Sequence, residues 1–255
     1  MMLTDTHTHL YYEKDEAKRR ELIDRCFENG VKRLFLPNVD AKSIPLVMNL
    51  AEAYPDNCFP MLGLHPCDVK EGYATALDTI FESLADYKIY AIGEIGIDLY
   101  WDKSTLNIQQ EAFKKQIAWA KQLDLPIVIH CRDAFDELYK VLLEEKDEKL
   151  KGIFHCFSGN TDEAKKVIEL GFYLGIGGVV TYKNSGLDKV VAEIGLEHLV
   201  LETDAPYLTP VPFRGKPNES SYLVYVAAKV AEVKNISLEE VAAITTENSK
   251  NIFKI

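Results

Sequence analysis

The chain has 255 residues, 47% hydrophobic and 27% charged, with 14 Gly and 10 Pro; that is enough apolar material for a large core and excludes a low-complexity or disordered chain. Its net charge of -11, from 29 basic and 40 acidic side chains, excludes broad counterion-release binding to a polyanion, so nucleic acid must be gripped locally, with bound divalent cations reversing the potential inside one cleft. Five scattered cysteines without a CxxC pair, no apolar run of ~18 residues and no charged-then-apolar leader together give the expectation of a soluble, cytoplasmic protein.

The chain opens on Leu3-Thr4-Asp5-Thr6-His7-Thr8-His9-Leu10, a β-type run whose two histidines lie two apart and so share one face. Apolar spacing at Ala17, Leu22, Ile23, Cys26 and Phe27 predicts a helix over 15–29, ended by Gly30. A buried strand follows over 33–37, a helix over 43–54, and a third strand over 58–63 that runs into His65-Pro66. Residues 89–94 read as strand four, 108–123 as a long amphipathic helix and 125–130 as strand five. Then come a helix over 134–144, a strand over 152–155, a helix over 161–169 capped by Gly171, and strand seven over 172–176. A helix over 187–194 precedes strand eight, 198–203. A loop carrying Pro206, Pro210, Pro212 and Pro217 then leads to a helical tail from Ser221.

Eight strands alternating with helices over about 200 residues fit an α/β chain folded as a (β/α)8 TIM barrel, a single domain over 1–255, since about 250 residues is typical of that fold. A doubly wound open sheet is the alternative. The barrel is favoured because ligand-type residues fall at strand ends: His7 and His9 after the first, His65 after the third, Glu94 after the fourth, His130 after the fifth, His155 after the sixth and Asp204 after the eighth. One such histidine alone reads as a hydrogen-bonded structural residue. Five of the six histidines in the chain at such positions read instead as a mixed nitrogen and oxygen site rich enough for two divalent metal ions. His198 begins strand eight at the opposite rim and is given no catalytic role.

Glu94, in Gly93-Glu94-Ile95-Gly96-Ile97-Asp98, is a carboxylate in an apolar run, costly to desolvate without a cation, and its two oxygens can bridge two ions. Asp98 reads either as an acceptor behind a ligand or as a helix cap. Asp204 reads as a metal ligand, as the general base for an activated water, or as both. Glu202 shares its strand face and reads as an outer partner or an internal ion-pair partner. Asp5, by its parity with His7 and His9, is expected to support an imidazole from below. Cys131 and Cys156 follow His130 and His155 directly and are expected to point away from the metals as small buried residues.

Taken together these segments resemble the TatD family of metal-dependent hydrolases, within the wider amidohydrolase-like barrels. The matching pieces are Asp5-Thr6-His7-Thr8-His9-Leu10, Gly63-Leu64-His65-Pro66, Gly93-Glu94-Ile95-Gly96-Ile97-Asp98, Ile129-His130-Cys131-Arg132-Asp133-Ala134, His155-Cys156-Phe157-Ser158-Gly159, Glu202-Thr203-Asp204-Ala205-Pro206-Tyr207-Leu208 and Arg214-Gly215-Lys216-Pro217-Asn218-Glu219. The resemblance implies a (β/α)8 fold, divalent metals, and phosphodiester hydrolysis in DNA, with 3′-to-5′ exonuclease action on single strands. It implies His7, His9, Glu94, His130, His155 and Asp204 as ligands, His65 as a histidine near the substrate phosphate, and Arg132 and Arg214 as basic positions at the mouth. The chain departs from the family pattern at Cys67, where a second histidine is common, and at Ser220, where a proline often follows Asn-Glu.

The mechanism expected from this set is two-metal hydrolysis, with His7, His9 and Asp204 on one ion, His130 and His155 on the other, Glu94 bridging, and Asp204 assisting as base. Imidazoles favour Zn, Mn, Fe or Co, whereas phosphoryl chemistry favours Mg or Mn, so the metal is left open. Arg132, Arg214, Lys216, Lys103 and Lys183 lie in loops where they could contact phosphates, although each taken singly reads more plainly as a solvated surface charge; Tyr100, Trp101 and Tyr207 could stack on unpaired bases, with rim packing an equal alternative. The rival enzyme is a small-molecule amide or ester hydrolase on the same metal pair. The non-enzymatic rival is a metal-binding regulatory or scaffold protein.

Overall fold

A computed structural model describes residues 1–255. Eight strands alternate with helices: β1 (Leu3–Asp5), α1 (Glu16–Glu28), β2 (Val31–Pro37), α2 (Ile44–Ala53), β3 (Cys58–Met61), α3 (Tyr73–Ser83), β4 (Ile92–Asp98), α4 (Leu106–Leu123), β5 (Ile127–Arg132), α5 (Phe135–Glu144), β6 (Gly152–Phe154), α6 (Thr161–Glu169), β7 (Tyr173–Ile176), α7 (Leu187–Glu193) and β8 (Leu199–Leu201). Two further helices, α8 (Leu223–Lys234) and α9 (Leu238–Phe253), complete the chain. All strand pairs are parallel, in the orders β1-β2-β3 and β4-β5-β6-β7-β8.

Both seams between these groups are bonded. Leu62 bridges to Ile92, with Gly93 N donating to Leu62 O at 3.0 Å. At the other seam Thr6 N donates to Leu201 O at 3.0 Å, Asp204 N to His7 O at 2.9 Å and His9 N to Ala205 O at 2.8 Å. The ring of strands therefore closes, which removes the open edges that a doubly wound sheet would leave.

A separate apolar layer fills the bottom of the ring: Phe35, Phe59, Met61, Ala91, Val128, Ile153 and Val200, closed from below by Ile252 and Phe253 of α9. Phe35 and Phe253 stack with ring centroids 3.7 Å apart. Side chains two residues further along a strand share its inward face, so Val128, Ile153 and Val200 set His130, His155 and Glu202 directly above this plug. The polar site thus rests on a dry floor at the C-terminal end of the strands.

β4 lies later than the sequence suggests. It runs Ile92–Asp98 rather than over 89–94, so Glu94 sits inside the strand and not after it. The pairing with β5 shifts between Gly93 and Ile95, skipping Glu94. A bulge of this kind re-aims one side chain, and here it turns a carboxylate into the ring. Gly96 is required beside it: at φ 144°, a Cβ would come 2.0 Å from His130 O. The tail also differs, since Asn235 adopts a left-handed conformation (φ 53°) and divides it into α8 and α9. The helix α3 had no counterpart among the predicted elements.

Candidate metal centre

The ring nitrogens His7 Nε2 and His9 Nε2 face each other at 3.3 Å. Glu94 Oε2 stands 3.2 Å from the first and 3.8 Å from the second, and Asp204 Oδ1 stands 3.8 and 3.6 Å from them. Donors bound at about 2.1 Å to a tetrahedral ion are about 3.4 Å apart, so these distances outline five of the six edges of one coordination tetrahedron. The other oxygen of Glu94, Oε1, faces a second group, His130 Nδ1 at 2.8 Å, His155 Nε2 at 3.4 Å and His65 Nε2 at 3.5 Å. The His7 and His155 rings stack between the two groups with centroids 3.5 Å apart. Such a convergence of lone pairs in buried surroundings fits divalent cations, which satisfy several acceptors at once.

The outer partners of each ring decide which nitrogen can ligate. Tyr11 donates its hydroxyl proton to Pro37 O at 2.6 Å, so at 2.8 Å it accepts from His9 Nδ1, leaving the Nε2 lone pair of His9 for a cation. Asp98 Oδ2 accepts from His130 Nε2 at 2.8 Å, which leaves His130 Nδ1 facing Glu94. Glu202 Oε1 lies 3.0 Å from His155 Nδ1, off the hydrogen-bond line, on the side away from Glu94. His65 is the reverse case. Its Nδ1 accepts from Cys67 N at 3.0 Å, so its proton is on Nε2 and it approaches the site as a donor rather than as a ligand. His7 Nδ1 is buried without a partner.

The electrostatics are those of a site built for added positive charge. Burial alone would raise Glu94, but the imidazoles of His155, His65 and His7 outweigh it and hold the carboxylate well below its ordinary range. Burial pushes Asp204 well above its usual value, with the charges of Glu94 and Glu202 adding to it against His155. Burial likewise raises Glu202 to about 7. His130 resists its own desolvation through Asp98 and Glu94 and is raised to about 9. His7, His9 and His155 are lowered, first by burial, which favours the neutral ring a metal needs.

The structure brings His7, His9, His65, Glu94, His130, His155 and Asp204 into one cluster, and His198 stands apart at the start of β8, half-exposed beside Glu197. Asp98 takes the first of the two roles considered for it, bonding His130. It caps no helix, and its other oxygen accepts from Tyr100 N at 3.0 Å in the loop after β4, where Asp102 and Thr105 stand at the helix starts. Asp5 does not support an imidazole. Its carboxylate accepts from Thr203 N at 2.9 Å, Thr203 Oγ1 at 2.6 Å and His7 N at 3.3 Å, tying β1 to the end of β8. Cys156 is nearer the site than strand parity implied: its Sγ comes within 4.8 Å of donor atoms of His155 and Glu202. Burial, Asp204 and Glu202 keep that thiol protonated. The cause is the left-handed backbone at Cys156 (φ 48°), which ends the strand's alternation. Arg132 ends β5, and Arg214 lies 4.0 Å from the Tyr182 ring centre. Lys216 is exposed, its carbonyl accepting from Thr209 Oγ1 at 2.6 Å.

Tyr11 is the functional residue that motif reading passed over. The available signal was its place two residues after His9, with a hydroxyl able to reach the far side of that ring. Ser220, where the family pattern has proline, uses its hydroxyl to donate to Thr8 Oγ1 at 2.9 Å, fastening the last loop to the first.

A closed parallel barrel with imidazole and carboxylate donors at its C-terminal mouth has the architecture of a metal-dependent hydrolase. A family model described as TatD related DNase matches residues 4–254, and the chain belongs to that family. It is 45% identical over 255 residues to the uncharacterized metal-dependent hydrolase YabD of Bacillus subtilis, covering 100% of both chains. It is 32% identical over 246 residues to the 3′-5′ ssDNA/RNA exonuclease TatD of Pectobacterium parmentieri, covering 94% of this chain and 95% of that one. Among solved structures, the TatD homologue YJJV of Escherichia coli superposes with a TM-score of 0.93 at 30% identity, covering 99% of this chain and 98% of that one.

Proposed function

We propose that this enzyme hydrolyses phosphodiester bonds of DNA at a pair of divalent cations, removing nucleotides from the 3′ ends of single strands. The reading is carried by Glu94, whose two oxygens face two separate donor groups. His7, His9 and Asp204 would hold one ion and His130 and His155 the other, with Glu94 between them. Bound there, the cations supply charge neutralisation at the phosphoryl group and acidify the attacking water. Asp204 accepts the proton of that water at a carboxylate oxygen. His65, a donor at Nε2, hydrogen-bonds a non-bridging phosphoryl oxygen, while Arg132, Arg214 and Lys216 meet flanking phosphates.

A nucleic-acid substrate is supported by the relative named as an exonuclease and by arginines placed at the mouth of an otherwise acidic chain. Five free cysteines suit action in a reducing cytoplasm. The reading is tested by a matrix of metals (Mg, Mn, Zn, Co) against substrates: single-stranded DNA, amides, lactones and acylated nucleosides. Turnover of DNA with at least one metal is the expected result. Turnover of an amide or lactone with none of DNA would overturn it in favour of a small-molecule hydrolase.

A further inference from the structure

Trp101 is the most exposed large apolar side chain of the protein, at 73%, whereas the other tryptophan, Trp119, is buried at 5%. It stands on the loop between β4 and α4, at the mouth of the barrel. Leaving an indole in water forgoes the stabilisation that burial gives it, so an exposed indole beside a candidate catalytic site points to something that covers it in the working complex.

The loop is held at both ends. Tyr100 N donates to Asp98 Oδ1 at 3.0 Å, and Asp102 accepts from Ser104 N at 2.8 Å and Ser104 Oγ at 2.6 Å. The Tyr100 and Trp101 rings meet edge to face with centroids 4.8 Å apart. The Arg132 guanidinium lies 3.7 Å from the Tyr100 ring centre and 5.7 Å from that of Trp101. Arg132 therefore occupies Tyr100 and is itself fixed by cation–π contact, while the indole beside it is left open. The platform is also coupled to the metal centre. The carboxylate that receives Tyr100 N through one oxygen receives His130 Nε2 through the other, at 2.8 Å.

We propose that Trp101, set by Tyr100 and Arg132, is the base-stacking subsite for the unpaired nucleotide next to the scissile phosphate, and that this stack selects single strands. The inference rests on the nuclease reading above and assigns the residue that discriminates within it. A base inside a duplex already has both faces stacked and cannot lie on Trp101; an unpaired terminal base can. Stacking also gives an acidic protein a grip that does not rely on a wide basic surface. The charges around the mouth point the same way. A cavity of about 360 Å³ beside His155 is lined by Asp133, Asp136, Glu137 and Glu163, which repel a phosphodiester, whereas Arg132 attracts one. Across the mouth, the half-buried Tyr182 is pinned by its hydroxyl to Thr209 O at 2.9 Å and covered by Arg214, so it holds an arginine rather than a base. Tyr207, 53% exposed, turns its ring edge to face toward His9 with centroids 6.1 Å apart, and is less exposed than Trp101.

The test uses the manganese-loaded enzyme with oligothymidylate and with a matched strand whose two 3′-terminal nucleotides lack bases. Trp119 is buried, so a saturable quench of tryptophan emission by a phosphorothioate oligothymidylate reports Trp101. That quench should appear in the wild type and vanish in Trp101→Ala, with thermal melting unchanged. Trp101→Ala should raise KM for oligothymidylate about tenfold, the loss falling on KM more than on kcat, and Trp101→Phe should recover most of it. On the base-free strand wild type and Trp101→Ala should have the same KM. If the wild type degrades DNA while Trp101→Ala and base removal leave KM unchanged, the stacking assignment is wrong and the nuclease reading stands. If the wild type degrades no nucleic acid with any metal, the nuclease reading falls and this assignment falls with it.

Discussion

Replacing Tyr11 by Phe isolates one hydrogen bond behind the metal centre. The ring of Tyr11 is 2% exposed and packs in the core, so Phe keeps its volume and removes only the hydroxyl. That oxygen accepts from His9 Nδ1 at 2.8 Å and donates to Pro37 O at 2.6 Å; burial raises its pKa, so it remains a hydroxyl. Its loss frees His9 to place a proton on either nitrogen and leaves Pro37 O without this donor. Outer partners of ligating histidines are worth about tenfold to a hundredfold in metal affinity, which corresponds to about 1.4–2.8 kcal/mol at 1.4 kcal/mol per factor of ten. The folded state should lose about 1 kcal/mol as well, from the buried acceptor. Isothermal titration of chelator-treated protein with Mn or Zn reads the first effect, and urea unfolding of the metal-free protein reads the second. Metal affinity within about twofold of wild type would refute the tautomer assignment for His9.

Two further outcomes follow from the geometry. Asp5→Asn leaves one acceptor oxygen where three donors converge, so stability should fall by about 2–4 kcal/mol in urea unfolding; an unchanged midpoint would mean that Asp5 does not lock β1 to β8. For pH, His130 is raised from 6.5 to about 9 by Asp98 and Glu94 against burial, so its contribution is complete below its unfolded value and is lost as pH rises through about 9. Asp5 and Glu202 are raised by burial to about 7, so their cost grows as pH rises to that value and is complete above it. The metal-free protein should therefore melt at a lower temperature at about pH 9.5 than at about pH 7.5, with a smaller fall after metal loading. A melting temperature that rises over this window would contradict the charge assignments.

The alternation of strands and helices and the ligands at strand ends were legible because both follow simple periods: buried strands are short apolar runs, and the residues after them turn inward at one rim. Where the chain departs from those periods, sequence reading failed. Glu94 is placed by a bulge that strand parity does not encode. The helix α3 begins after Gly72 in a left-handed conformation, with no Ser, Thr, Asp or Asn cap to announce it. Asp5 shares the histidines' parity, yet Thr203 reaches it first, from a residue 198 positions away. Tyr11 was missed for a related reason: a tyrosine two residues from a histidine becomes informative only when the far side of the ring is seen to need an acceptor.

The bridging role proposed for Glu94 is tested most directly by metal content and turnover measured on the same preparations. Wild type should bind two divalent ions per chain and hydrolyse single-stranded DNA. Glu94→Ala should retain less than one ion through dialysis and lose at least about a thousandfold in rate. A Glu94→Ala protein that kept two ions and near wild-type turnover would contradict the two-cation centre outright.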